Sequence, residues 1–190
     1  MVETITPAVH GGRRAGYWAS AAAHVLGATL AAATLGVTLG ALGGVLGAPW
    51  GRLGGALLAA TAGLYTLREA GALRLPTLAA RRQVPEWWRR FYAPHTSALL
   101  YGVSLGFGFA TTLSHGTLLV VCAAALLSGE AQQGLLFAAP FGIARSASAV
   151  LGGRRATRAI DRLDELAATP LARAANGTVL VAVAAAALVP

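Results

Sequence analysis

The sequence contains no lysine, a single cysteine (Cys122), and only seven acidic residues among 190. Each shortage excludes something. One cysteine rules out an intramolecular disulfide and any thiol pair that could pass electrons within the chain. With 12% charged residues against about 25% in ordinary soluble domains, there is too little charge for a hydrated skin around a core this apolar. No aspartate-rich, P-loop or nucleophile-elbow pattern occurs, so no enzymatic activity and no cofactor are expected. What is abundant is apolar: 56% of residues are hydrophobic and the mean hydropathy is +0.62.

The net charge of +8 comes entirely from arginine on the basic side. Basic faces can bind nucleic acid by releasing counterions, but these arginines lie in short clusters between long apolar segments, where positive charge orients a chain in a membrane. Nucleic acid is therefore not an expected partner; membrane lipid is. Arg13 and Arg14 precede the first apolar stretch as they would in a secretory signal. However, no charged residue follows until Arg52, whereas a signal's apolar region spans roughly 7 to 15 residues. The stretch reads as an uncleaved first span.

Five apolar segments follow: Tyr17 to Gly47, Leu53 to Leu73, Thr96 to Leu127, Gly134 to Gly152 and Leu171 to Val189. Each suits a hydrocarbon layer of about 30 Å, which takes roughly 20 helical residues. The predicted fold is all-α, a polytopic membrane helix bundle of about five transmembrane helices. Residues 1–16 form a cytoplasmic tail, and residues 17–190 form a single transmembrane domain in a prokaryotic inner or plasma membrane. Alternating the sides of the spans places thirteen arginines inside and Arg52 outside, with Arg145 within a helix, which predicts the N-terminus in and the C-terminus out. Trp50, Trp87, Trp88, Phe91 and Tyr92 fall at the interfaces, as an aromatic belt requires. Arg68 and Glu69 sit near the end of the second span, where Arg68 is expected to snorkel toward the headgroups. No acidic residue lies deep in any predicted span. Residues 154–168 pattern as an amphipathic helix on the inner surface, with Ile160, Leu163 and Ala167 on its apolar face.

Gly36, Gly40 and Gly44 recur every four residues, and this spacing lets two helix backbones approach closely in lipid. They predict helix packing within the bundle or, alternatively, the seam of a homo-oligomer. Ionisable groups at membrane depth are costly and so are candidates for function. His24, His95, His115 and Arg145 qualify. With both helices starting at the inner face, His24 lies about 10 Å and His115 about 30 Å along its helix, too far apart for one metal site. No metal is expected, and each histidine is expected to hydrogen-bond a neighbouring helix. Arg145 is nine residues from Arg154, about 13 Å of helix, beyond comfortable snorkelling. Pro140 is expected to kink or break its helix and free a carbonyl, while Gly142 and Ser146 leave room beside the guanidinium. Thr112, Ser114, His115, Pro140 and Arg145 together form the expected substrate or partner centre.

The run Phe107-Gly108-Phe109-Ala110-Thr111-Thr112-Leu113-Ser114-His115-Gly116-Thr117 resembles the second cysteine helix of the CcdA family, the membrane domain also found in DsbD. There a Gly/Phe-rich stretch leads into Thr-Pro-Cys-x-Gly-Pro; here Ser114 stands at the cysteine position and Leu113 and Thr117 at those of the prolines. Gly27 to Pro76 is similar to the family's second and third helices, Phe141 to Ser146 to its fifth, and Asn176-Gly177 to the start of its last. The resemblance implies a chain that begins after the family's first Pro-Cys helix. Because a hydroxyl cannot form a mixed disulfide, it also implies a redox-inactive member assisting extracytoplasmic protein maturation, in thiol or cytochrome assembly, through contacts with other membrane or extracytoplasmic proteins. A small-solute or metal ion transporter and a structural subunit of a membrane complex are the alternative expectations.

Overall fold

The computed structural model describes residues 14–48, 51–76, 87–108, 116–153 and 169–187. Among these residues the chain is all-helical: α1 (Arg14–Val45), α2 (Arg52–Glu69), α3 (Trp88–Phe91), α4 (Pro94–Phe107), α5 (Thr117–Ser128), α6 (Ala131–Gly153) and α7 (Pro170–Ala187). Long runs of alanine and leucine favour helix, and the breaks fall where chemistry supplies them. Gly47 (φ 67°) and Gly71 (φ 81°) follow α1 and α2 in the left-handed conformation that lets the chain leave a helix. Pro94 opens α4, where its missing N–H is no loss.

Four of the five expected spans correspond to single helices within a few residues. The third does not. The segment Thr96 to Leu127 is longer than one span needs, from which tilt, a kink or an interfacial first turn is expected; α4 stops after Phe107 at Gly108, whose φ of 77° cannot continue a right-handed helix. Among the described residues the next helix, α5, begins at Thr117. Hydropathy carries no information on backbone conformation, so the uncharged run did not give the position of the break. At Pro140 the helix does not break, since α6 runs through it from Ala131 to Gly153. The missing N–H falls where Pro140 and Leu136 are both exposed. Among the described residues one helix, Arg14–Val45 near the N-terminus, is long and apolar enough to cross a membrane by length and composition. The amphipathic segment 154–168 lies outside the described residues.

The described residues group into two compact units. The first holds α1 up to Ala32, α3, α4 and α6 from Ala139; the second holds the rest of α1, α2, α5, the start of α6, and α7. In the first unit the α1 face carrying Tyr17, Ala21, His24, Ala28 and Ala31 is buried, at the spacing of a helical seam. Glycines make this seam close: a Cβ at Gly27 would collide with Leu99 O, at Gly102 with His24 O, and at Gly106 with Ala28 O. In the second unit Leu58 and Ala62 of α2, Val120 and Ala124 of α5, and Leu180 of α7 form one apolar cluster.

Across both units the distribution of size is inverted relative to a water-soluble core. Buried apolar positions are mostly alanine (Ala28, Ala32, Ala62, Ala98, Ala125), whereas Leu26, Leu30, Leu57, Leu136, Ile143 and Val181 are exposed. Small residues inside with large aliphatics outside is the arrangement favoured where close helix approach, not water exclusion, drives packing.

Candidate functional site

The most densely connected polar group described lies in the second unit, where the end of α2 and the start of α5 meet the second turn of α7. α2 ends in Arg68-Glu69, and a carboxylate at a helix C-terminus faces the negative end of the dipole. Compensation comes from two donors. Arg68 Nη1 lies 3.0 Å from Glu69 Oε1, and the same oxygen accepts the Gly116 backbone N–H at the start of α5, at 3.1 Å. Glu69 is 5% exposed, so this pairing takes place away from solvent. Arg68 also donates through Nε to Leu75 O at 3.0 Å. Gly116 is required to be glycine because the Tyr65 ring lies where a side chain would project, and Tyr65 donates from its hydroxyl to Pro76 O at 3.2 Å. One residue on, Thr117 Oγ1 donates to Asn176 Oδ1 of α7, while Asn176 Nδ2 is buried with no hydrogen-bond partner.

Arg68, expected to snorkel, is tied to Glu69 and to the turn after α2. Glu69, at the end of α2, is a buried carboxylate clamping α2 to α5. The readable signal was an adjacent Arg-Glu pair closing an apolar run, together with a lone asparagine opening another.

The second polar group belongs to the first unit. His24 is 2% exposed on α1, and its Nδ1 lies 3.2 Å from Ala98 O. A carbonyl only accepts, so Nδ1 carries the proton and Nε2 presents a lone pair, buried without a hydrogen-bond partner. One turn earlier, Ser20 Oγ and His95 Nδ1 are 2.9 Å apart. Both histidines thus bond across a helix–helix seam, as expected of histidines in an apolar bundle.

Of the residues singled out from sequence, Thr112, Ser114 and His115 lie outside the described residues. Arg145 and Pro140 are on α6, and Arg145 Nε is buried. At Gly142 the α1 backbone approaches closely, with Ala28 O only 2.6 Å from where a Cβ would lie. Ser146, fully buried, turns its hydroxyl to Ile143 O at 2.9 Å. Gly36 and Gly134 pack against each other's carbonyls, Gly40 against Glu130 O, and Gly44 against Gly129 O, so these glycines are occupied by the chain's own α5–α6 corner. Cys122 sits half-buried on α5 with a free thiol. Among the described residues no cluster of three or more His, Cys, Asp or Glu side chains could hold a metal ion.

The chain is similar to proteins named methylamine utilization protein MauF. It is 35% identical to that of Paracoccus versutus over 126 residues, covering 65% of this chain and 46% of the relative. The identity to the protein of Methylophilus methylotrophus is 33% over 126 residues, covering 64% and 43%. To that of Methylorubrum extorquens it is 34% over 128 residues, again covering 64% and 43%. No protein-family model matches the chain, and no solved structure does. These relatives overturn the CcdA/DsbD resemblance and, with it, the expected role in thiol or cytochrome assembly. The solute or metal transporter and the structural subunit find no support in them either. The misleading motif consisted of glycine, threonine and phenylalanine, residues that recur in any tightly packed apolar helix, and it lacked the cysteine that would have made it specific. The chain spans less than half the length of the curated relatives it matches.

Proposed function

We propose that this chain is a multi-pass, all-helical membrane protein that serves methylamine utilization as an accessory component, catalysing no reaction itself. The observation that carries the reading is the similarity, over nearly two thirds of the chain, to methylamine utilization proteins of three organisms. The membrane assignment is supported by the apolar α1, by the inside-out placement of alanine and leucine, and by the thirteen-to-one distribution of arginines, which favours five passes with the N-terminus in the cytoplasm. Its partners in this reading are membrane lipid and other membrane or extracytoplasmic proteins.

The test is deletion of the coding sequence in the organism that carries it, followed by growth with methylamine or ammonium as the nitrogen source. The reading expects a defect confined to methylamine and restored by the intact chain; equal growth on methylamine with and without the gene would refute it. Reporter fusions test the passes separately. A fusion after Glu130 should report the outer side and one after Arg82 the cytoplasm; the reverse pattern would discard the topology while leaving the methylamine role standing.

A further inference from the structure

We propose that the segment Trp87–Tyr92 is a preformed hook that binds anionic phospholipid headgroups. The proposal rests on the multi-pass reading and names the lipid class that this part of the chain would recognise.

Three observations carry it. First, the aromatics form one connected surface: Trp87 contacts Trp88, Phe91 and Tyr92 with ring centroids 6.3, 5.8 and 6.3 Å apart. Second, that surface is open, with Phe91 76%, Trp87 50% and Tyr92 44% exposed. Third, the hook is held in place. Ser97, buried on α4, donates to Trp88 O at 3.1 Å and lies 3.4 Å from Tyr92 O, while the Trp88 ring sits 5.7 Å from that of buried Tyr101. A short helix would not otherwise keep large apolar rings facing outward.

Charge selects the occupant. The segment Trp-Trp-Arg-Arg-Phe-Tyr carries two arginines, Arg89 and Arg90, and no acid, and Arg90 is exposed. Tryptophan and tyrosine settle at the headgroup level of a bilayer, and a guanidinium matches the fork of phosphate oxygens there. A free anion would leave the rings in water. A lipid headgroup with its acyl chain satisfies both halves of the surface, and a negatively charged leaflet adds attraction for each arginine.

The experiment uses the full chain reconstituted in nanodiscs containing equal amounts of phosphatidylcholine and phosphatidylglycerol, followed by detergent extraction and mass spectrometry of the retained lipid. Phosphatidylglycerol should be enriched, with about fivefold of the preference lost for each arginine in Arg89→Gln and Arg90→Gln. A Trp18→Phe/Trp50→Phe variant leaves only Trp87 and Trp88 to emit. Their fluorescence should be quenched more by brominated phosphatidylglycerol than by brominated phosphatidylcholine, and Arg89→Gln/Arg90→Gln should erase the difference. Equal retention of the two lipids, or equal quenching before and after the arginine changes, overturns the proposal. Absence of quenching also overturns it, and assigns the face to a protein partner. Failure of the chain to stay in the membrane on carbonate washing would instead strike the multi-pass reading itself.

Discussion

The two units solve the same problem differently. In the first, polar side chains are strung along a helix seam: Ser20 meets His95, His24 meets the Ala98 carbonyl, and close glycines bring α1 and α4 near enough for these bonds to form. In the second, the α1 seam against the α5–α6 corner is made of backbone, glycine against carbonyl, and polarity is collected at helix ends around Glu69. In the proposed multi-pass reading hydrocarbon provides no hydrogen bonds, so a polar group must be satisfied inside the protein or kept out of the seam. Along the α1–α4 seam the first unit does the former with neutral groups. The second does the latter, keeping its buried charge where a helix N-terminus can receive it.

The contrast is broken most sharply at the dry seam. A Cβ at Gly40 would overlap Glu130 O, a backbone atom that cannot rotate away. Gly40→Leu is therefore expected to separate the helices, costing about 3 kcal/mol or more, at the upper end for overpacking. Membrane abundance and thermal stability in detergent should both collapse; a variant as abundant and stable as wild type would show that the seam does not form.

Next in size is the clamp at the helix ends. Glu69→Leu leaves the Gly116 N–H and Arg68 without their shared acceptor, an expected loss of about 3 kcal/mol for a broken buried pair. Glu69→Gln keeps an acceptor for Gly116 and should lose less than half as much. Measuring both by detergent thermal denaturation decides between charge and hydrogen bonding, because equal losses would show that the carboxylate charge, and not the acceptor, holds α2 to α5.

Helix positions were legible in the sequence because apolar run length nearly determines them: α1, α2, α6 and α7 begin and end close to where charge, glycine or proline interrupts the hydropathy. The Gly36-Gly40-Gly44 spacing correctly marked a close approach, but whether it faces a copy or the chain itself depends on tertiary placement that spacing does not encode. The break at Gly108 was hidden because a left-handed glycine in an apolar run looks like any packing glycine. Glu69 was hidden because an arginine beside it made the pair look interfacial; its real acceptor role depends on Gly116, 47 residues away. The family resemblance failed for a related reason, since small-residue motifs reflect helix packing in general.

The polar seam should be the more forgiving of the two. His24 contributes one bond to Ala98 O but also buries an unpartnered Nε2, and these effects oppose each other. Ala98 O lies within α4, where the helix's own N–H groups can still satisfy it. His24→Leu is thus expected to change stability by only about 1 kcal/mol, since removing a donor together with an orphaned acceptor is close to neutral. A loss as large as that of Glu69→Leu in the same denaturation assay would mean that Nε2 has a partner essential to the fold.

The smallest effect, and the only one with a favourable sign, is expected at Gly63. This glycine lies inside α2, where a Cβ would meet nothing within 4 Å. Unlike Gly40, it has no seam to justify it, so its flexibility is only a cost to the folded helix. Replacing glycine by alanine in a helix interior stabilises by about 0.5–1 kcal/mol when no neighbour objects. Gly63→Ala should therefore raise the thermal midpoint in detergent slightly and leave abundance unchanged. Paired with Gly40→Leu, it separates the two uses of glycine in one apolar chain. If Gly63→Ala instead destabilised the protein, some surface absent from the isolated chain must approach α2 at that point, and the division between packed and unpacked glycines would have to be redrawn for the assembled form.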